Sequence, residues 1–223
     1  MTSSPPLQRG MSVASWLFNP FVRVAGGPAL GVGLLVVVAT GLVAGTAGVH
    51  LDGLLDFHPG YAVPLWVPVV EGLVNWSVFA LLVWSVALLL TGRTVRLVDV
   101  AGTQALARFP FLLAALVCVP PAVRRAHEEM AAAVAHGRLP LPQGWEIPVA
   151  SMVITACLIW MVWLMWKAFS LCCNRRGVRA VTIFVVLVLA GEFGTKYLLG
   201  RLLVALASIG LDVGIPGLAV ADG

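Results

Sequence analysis

Charge is what this chain has least of. Of 223 residues, only 11% are Asp, Glu, Lys or Arg, whereas a soluble domain carries roughly 25%. So few charges cannot coat a water-exposed surface, which excludes an ordinary soluble fold. Cysteine is also scarce. The four are Cys118, Cys157, Cys172 and Cys173, and their spacing matches neither a disulfide framework nor a zinc site. They read as small hydrophobes and juxtamembrane free thiols on a reducing side. No soluble domain, internal repeat or low-complexity segment is visible.

Catalytic and metal patterns are missing too. His127-Glu128 opens like a zinc-protease motif, but HExxH needs a second His where Ala131 stands. His136 lies nine residues from His127, on nearly the opposite face of a helix. The apolar runs hold no His, and Ser77, Ser85 and Ser151 have no base in view, so an intramembrane enzyme finds no support. No cofactor is expected, and no metal. The net charge of +4 does not point to nucleic acid, because the basic residues flank apolar runs, as they do when they set membrane topology.

What is present is hydrophobicity. Sixty per cent of residues are apolar or aromatic (60%), and the mean hydropathy is +0.99. The lipid bilayer is therefore the main solvent. The predicted class is an all-α polytopic membrane protein, a five-helix transmembrane bundle. A short N-terminal segment, 1–25, precedes a membrane domain over 26–205 and a C-terminal tail over 206–223. The spans fall at about 28–49, 66–90, 109–123, 148–166 and 178–199, most of them long enough to cross roughly 30 Å of hydrocarbon. No secretory leader is expected, because the first run is longer than a signal peptide's apolar core.

Span three is short and broken by Pro110, Pro120 and Pro121. If it did not cross, the loop with Lys167, Arg175, Arg176 and Arg179 would share a side with the acidic loop after His50, against the positive-inside preference. It is therefore predicted to cross, extended by residues before Phe109. The basic side, with the N-terminus, is then cytoplasmic and the C-terminus outside. The tail, rich in Gly and carrying Pro216, is predicted to lie along the interface, with a sixth span as the alternative.

The polar residues inside or beside the spans are the candidate functional or structural positions. Glu71 and Asn75 share one helix face at i, i+4; Glu71 reads as interfacial or as helix-pairing. Glu192 and Lys196 have the same spacing and can pair, lowering their cost near lipid. Val98–Pro110 carries Asp99, Gln104 and Arg108. Asp99 with Arg96, and Gln104 with Arg108, would each share a helix face. They read as anchors of a short helix or as a contact to headgroups or a partner. The loop from His50 to Val63 carries Asp52, Asp56, His50 and His58; the cluster invites a metal reading, but no spacing matches a known ligand set, and the loop reads as solvated with acidic turn residues. Trp160, Trp163 and Trp166 read as an interfacial and packing stripe. Gly41 and Gly45 form a small-xxx-small pair.

Three stretches together resemble the Yip family, the Ypt/Rab-interacting integral membrane proteins, in its bacterial branch. They are Asn-Pro-Phe at Asn19–Phe21, the sequence TGRTVRLVDVAGTQALARFP at 91–110, and WMVWLMWKAFS at 160–170 followed by RGVRAVTIFVVLVLA at 176–190. The likeness runs from about residue 15 to 200. It implies five spans with a cytoplasmic N-terminus and no defined activity. Eukaryotic members bind small GTPases, but the short N-terminal segment here departs from them. The expected function is non-enzymatic: organising membrane or protein partners, or a homo-oligomer, through helix packing and basic loops in the bacterial inner membrane. The alternative is a transporter or channel subunit with a polar path near Glu71 and Glu192.

Overall fold

The computed structural model describes residues 12–60, 62–92, 95–138 and 144–214. A short helix, α1 (Val13–Phe18), and a 3-10 turn (Pro20–Val22) lead into α2 (Gly26–Thr46). Two short strands, β1 (Val49–His50) and β2 (His58–Pro59), pair antiparallel. The remaining described elements are helices: α3 (Trp66–Thr91), α4 (Leu97–Leu106), α5 (Phe109–Cys118), α6 (Pro121–Ala135), α7 (Glu146–Cys172) and α8 (Val178–Ser208). Among the described residues, five segments are long and apolar enough to cross a bilayer: α2, α3, α4 with α5, α7 and α8. Without water to satisfy backbone groups, continuous helices are the expected form for such runs.

Span three differs most from its sequence boundaries. It starts at Leu97 and ends at Cys118, not at 109–123, while residues from Pro121 onward turn into α6. The apolar count missed its first half because Asp99, Thr103 and Gln104 dilute it. Those side chains meet protein, so low hydropathy costs little there. About two-thirds of this span's apolar window is buried (67%), against 28–33% for the others. It is the bundle's central strut, with α2, α3 and α7 packed around it.

Pro110 explains the joint inside this strut. It has no N–H to give the Leu106 carbonyl. The chain tightens there, with Arg108 N–H donating to Ala105 O and Phe111 N–H to Arg108 O, the i, i+3 pattern of a 3-10 turn. Span one starts two residues earlier than predicted but stops at Thr46, with Val49 already in β1, and the remaining spans run past their predicted ends. Most notably α7 reaches Cys172 and α8 reaches Ser208, so part of the 206–223 segment is helical. Residues 215–223 lie outside the described part.

Small residues let α2 approach its neighbours. A Cβ on Gly33 would lie 2.5 Å from the Leu106 backbone nitrogen, and one on Gly102 would lie 2.6 Å from Gly26 O. Gly41 similarly abuts the Val69 backbone, at 2.5 Å from Cα. In lipid, where apolar burial gives little drive between helices, such close packing supplies much of the attraction.

The three-residue spacing of Trp160, Trp163 and Trp166 turns them progressively around α7. Trp160 and Trp163 donate their indole N–H groups to Leu17 O (2.9 Å) and Phe18 O (3.2 Å), docking α1. Trp166 faces inward instead, 5.5 Å from the Phe184 ring, which also meets Phe169 at 5.6 Å and Phe79 at 6.5 Å.

Candidate functional site

The chain between β1 and β2 is solvated on its polar side only. Leu51 and Leu54 are buried, and Phe57 packs on Phe111 with ring centroids 5.5 Å apart. The apolar side chains of His50–Phe57 plug the end of the bundle. That leaves the loop's backbone groups in a poorly hydrated place, where unpaired polar groups are costly.

Two helices supply the partners. From α3, Glu71 Oε2 accepts the Leu51 N–H at 2.7 Å, and Glu71 Oε1 lies 3.2 Å from His50 Nδ1. Asn75, one turn on, donates from Nδ2 to Leu51 O. One face of α3 therefore takes both backbone groups of Leu51, as a neighbouring strand would. Both side chains are only 1% exposed. From α8, Glu192 Oε2 accepts the Leu55 N–H at 2.8 Å. Lys196 bridges Glu192 Oε1 (3.3 Å) and Asp56 Oδ2 (2.5 Å). Gly191 makes room for this arrangement: a Cβ there would stand 2.8 Å from Leu54 Cδ2.

The turn brings further polar groups together. His58 Nδ1 lies 3.0 Å from Asp56 Oδ1 and 3.7 Å from Asp52 Oδ1. The His50 and His58 rings stack at 6.0 Å, set opposite one another by the β1–β2 register. A cavity of about 340 Å³ adjoins this group, lined in part by His50, Asp52, His58, Glu71, Met130 and Leu203. Burial pushes the Asp52 carboxyl above its ordinary range, against the opposing pull of His58. Burial acts the same way on Asp56, but hydrogen bonds from Lys196 and His58 outweigh it and hold that carboxyl below the usual range.

The structure thus collects Glu71, Asn75, Glu192 and Lys196 around one loop. It leaves Asp99, Gln104 and Arg108 elsewhere. Asp99 forms no ion pair with a described residue. Arg96, expected to share its face, is the extended residue before α4 (ψ 125°) and lies off the helix. Arg108 falls beyond the end of α4, at the Pro110 joint, so the i, i+4 relation with Gln104 breaks. Gln104 Nε2 instead reaches Met165 O at 3.4 Å. Arg108 is 5% exposed, and its Nη2 has no described hydrogen-bond partner.

The sequence reading noted the clustered Asp and His of this loop but took the segment as solvated, and it missed the apolar plug. A signal was present in HLDGLLDF, where Leu51, Leu54, Leu55 and Phe57 are more apolar than a solvated turn requires.

This architecture defines a multi-pass α-helical membrane protein. Comparison with known proteins adds no relative: no family model, curated protein or solved structure matches the chain.

Proposed function

We propose that this is a non-enzymatic integral membrane protein of the Yip type, organising protein partners or copies of itself through helix packing and its basic loops. The observation that carries the reading is how the intramembrane polar residues are used. Glu71, Asn75, Glu192 and Lys196 are engaged in fastening the protein's own loop. The basic rim at the other end is exposed, at Arg96, Arg175, Arg176 and Arg179. Such a rim suits a bacterial inner membrane with this end and the N-terminus cytoplasmic and the C-terminus outside. Exposed arginines there suit acidic partner surfaces or anionic headgroups.

Crosslinking in native membranes, followed by mass spectrometry, tests the proposal. A discrete partner or homo-oligomer is expected, weakened when Arg96, Arg176 and Arg179 are changed to Gln. A strictly solitary monomer contradicts it. The alternative, a transporter or channel subunit, has less support because Glu71 and Glu192 both accept loop N–H groups. Substrate flux into proteoliposomes that is abolished by Glu71→Gln or Glu192→Gln would reverse that order.

A further inference from the structure

The geometry points to a binding site for one divalent transition-metal cation of the zinc type, held by Asp52, Asp56 and His58 at the plugged end of the bundle. The donor set is mixed, with two carboxylates and an imidazole. One ligand atom from each lies within 4.8 Å of the others. Ligands about 2.1 Å from a tetrahedral zinc stand roughly 3.4 Å apart. The His58–Asp56 and His58–Asp52 separations of 3.0 and 3.7 Å already bracket that value. Small side-chain rotations would close the rest.

Charge argues in the same direction. Asp52, Asp56, Glu71 and Glu192 converge on this loop, and Lys196 is the lysine that meets them. Lys196 satisfies one oxygen of Asp56 and one of Glu192. Asp52 Oδ1 is shut away from solvent and has no described hydrogen-bond partner, although it stands 3.7 Å from His58 Nδ1. The Asp52 side chain is 44% exposed, so this sheltered oxygen costs little on its own, but it is a free acceptor facing His58 where a cation can sit.

The chemistry selects the class of ion. Calcium takes six to eight oxygens, about twice what this group offers, and does not favour imidazole. Three N and O donors, with the cavity beside them leaving a fourth position for solvent, suit zinc or a neighbouring transition metal. Because the loop residues and Lys196 of α8 belong to one network, a bound ion would also tighten the plug.

Isothermal titration of the full-length chain in nanodiscs, with any affinity tag removed, tests this with zinc chloride as the probe. One saturable ion per chain is expected, with no comparable response to magnesium or calcium. His58→Ala and Asp52→Asn should each weaken binding at least tenfold. Both side chains are over 40% exposed (43% and 44%), so folding should survive. Should His58→Ala fail to fold, Asp52→Asn carries the comparison. His127→Ala with His136→Ala is the control for adventitious surface binding and should leave affinity unchanged. No saturable zinc binding, or binding undiminished in both loop variants, overturns the proposal.

Discussion

The Glu71 carboxylate and the Leu51 peptide N–H meet at 2.7 Å, although Glu71 belongs to a membrane-spanning helix and Leu51 to a loop. A buried acid near lipid is usually explained by a basic partner or a substrate. Here it also serves as a backbone acceptor. Several expectations depend on this and related contacts.

Glu71→Ala should leave the Leu51 N–H buried and unpaired, at a cost of about 1–3 kcal/mol. Glu71→Gln keeps an acceptor and should cost less. Thermal unfolding in detergent gives the ranking, and proteolysis of the 50–60 segment should accelerate most in Glu71→Ala. Equal stability of all three proteins would mean the clamp contributes nothing.

Gly33→Leu and Gly102→Val should separate α2 from α4, because the new Cβ atoms have only 2.5–2.6 Å to backbone atoms. Overpacking of this kind costs about 1–3 kcal/mol or more. Gly27→Ala has nothing within 4 Å of its new Cβ and should be tolerated. Size-exclusion profiles and melting temperatures of the three variants distinguish these outcomes.

Arg108→Met should be neutral or stabilising. Burying a charge without a partner is costly, an apolar side chain of similar volume avoids that cost, and Arg108 Nη2 has no described partner. A marked loss of stability in Arg108→Met would show that the guanidinium is paired in the membrane.

Mild acid should loosen α6. Burial lowers the affinity of the His127 ring for a proton below its ordinary value, so the unfolded chain binds that proton first. The neutral ring's contribution is complete above the ordinary histidine value of about 6.5 and is lost as pH falls below it. Hydrogen exchange over 121–135 should therefore rise between neutral and mildly acidic pH. His127→Phe should flatten that dependence.

Four of the five spans were legible as uninterrupted apolar runs, and the third was predicted from the placement of basic residues in the loops around it. The start of span three was only partly legible. Its first turns are polar enough to look like a loop, and only burial by α2, α3 and α7 makes them part of a spanning helix. The spacing of Glu71 with Asn75 and of Glu192 with Lys196 correctly put each pair on one helix face. It gave no sign that both faces converge on the same loop. Asp99 with Arg96 and Gln104 with Arg108 had equally good spacing, yet fell on opposite sides of helix ends set by the chain before Leu97 and by Pro110.

By itself, then, the sequence determined the solvent, the helical class and the uneven distribution of charge between the two ends, because these follow from composition and local periodicity. The tertiary structure decided what the polar residues do. Leu55 and Glu192 are 137 residues apart, and no local pattern encodes their meeting. It arises when helix packing brings α3 and α8 to one end of the bundle, where a buried backbone must find hydrogen-bond partners.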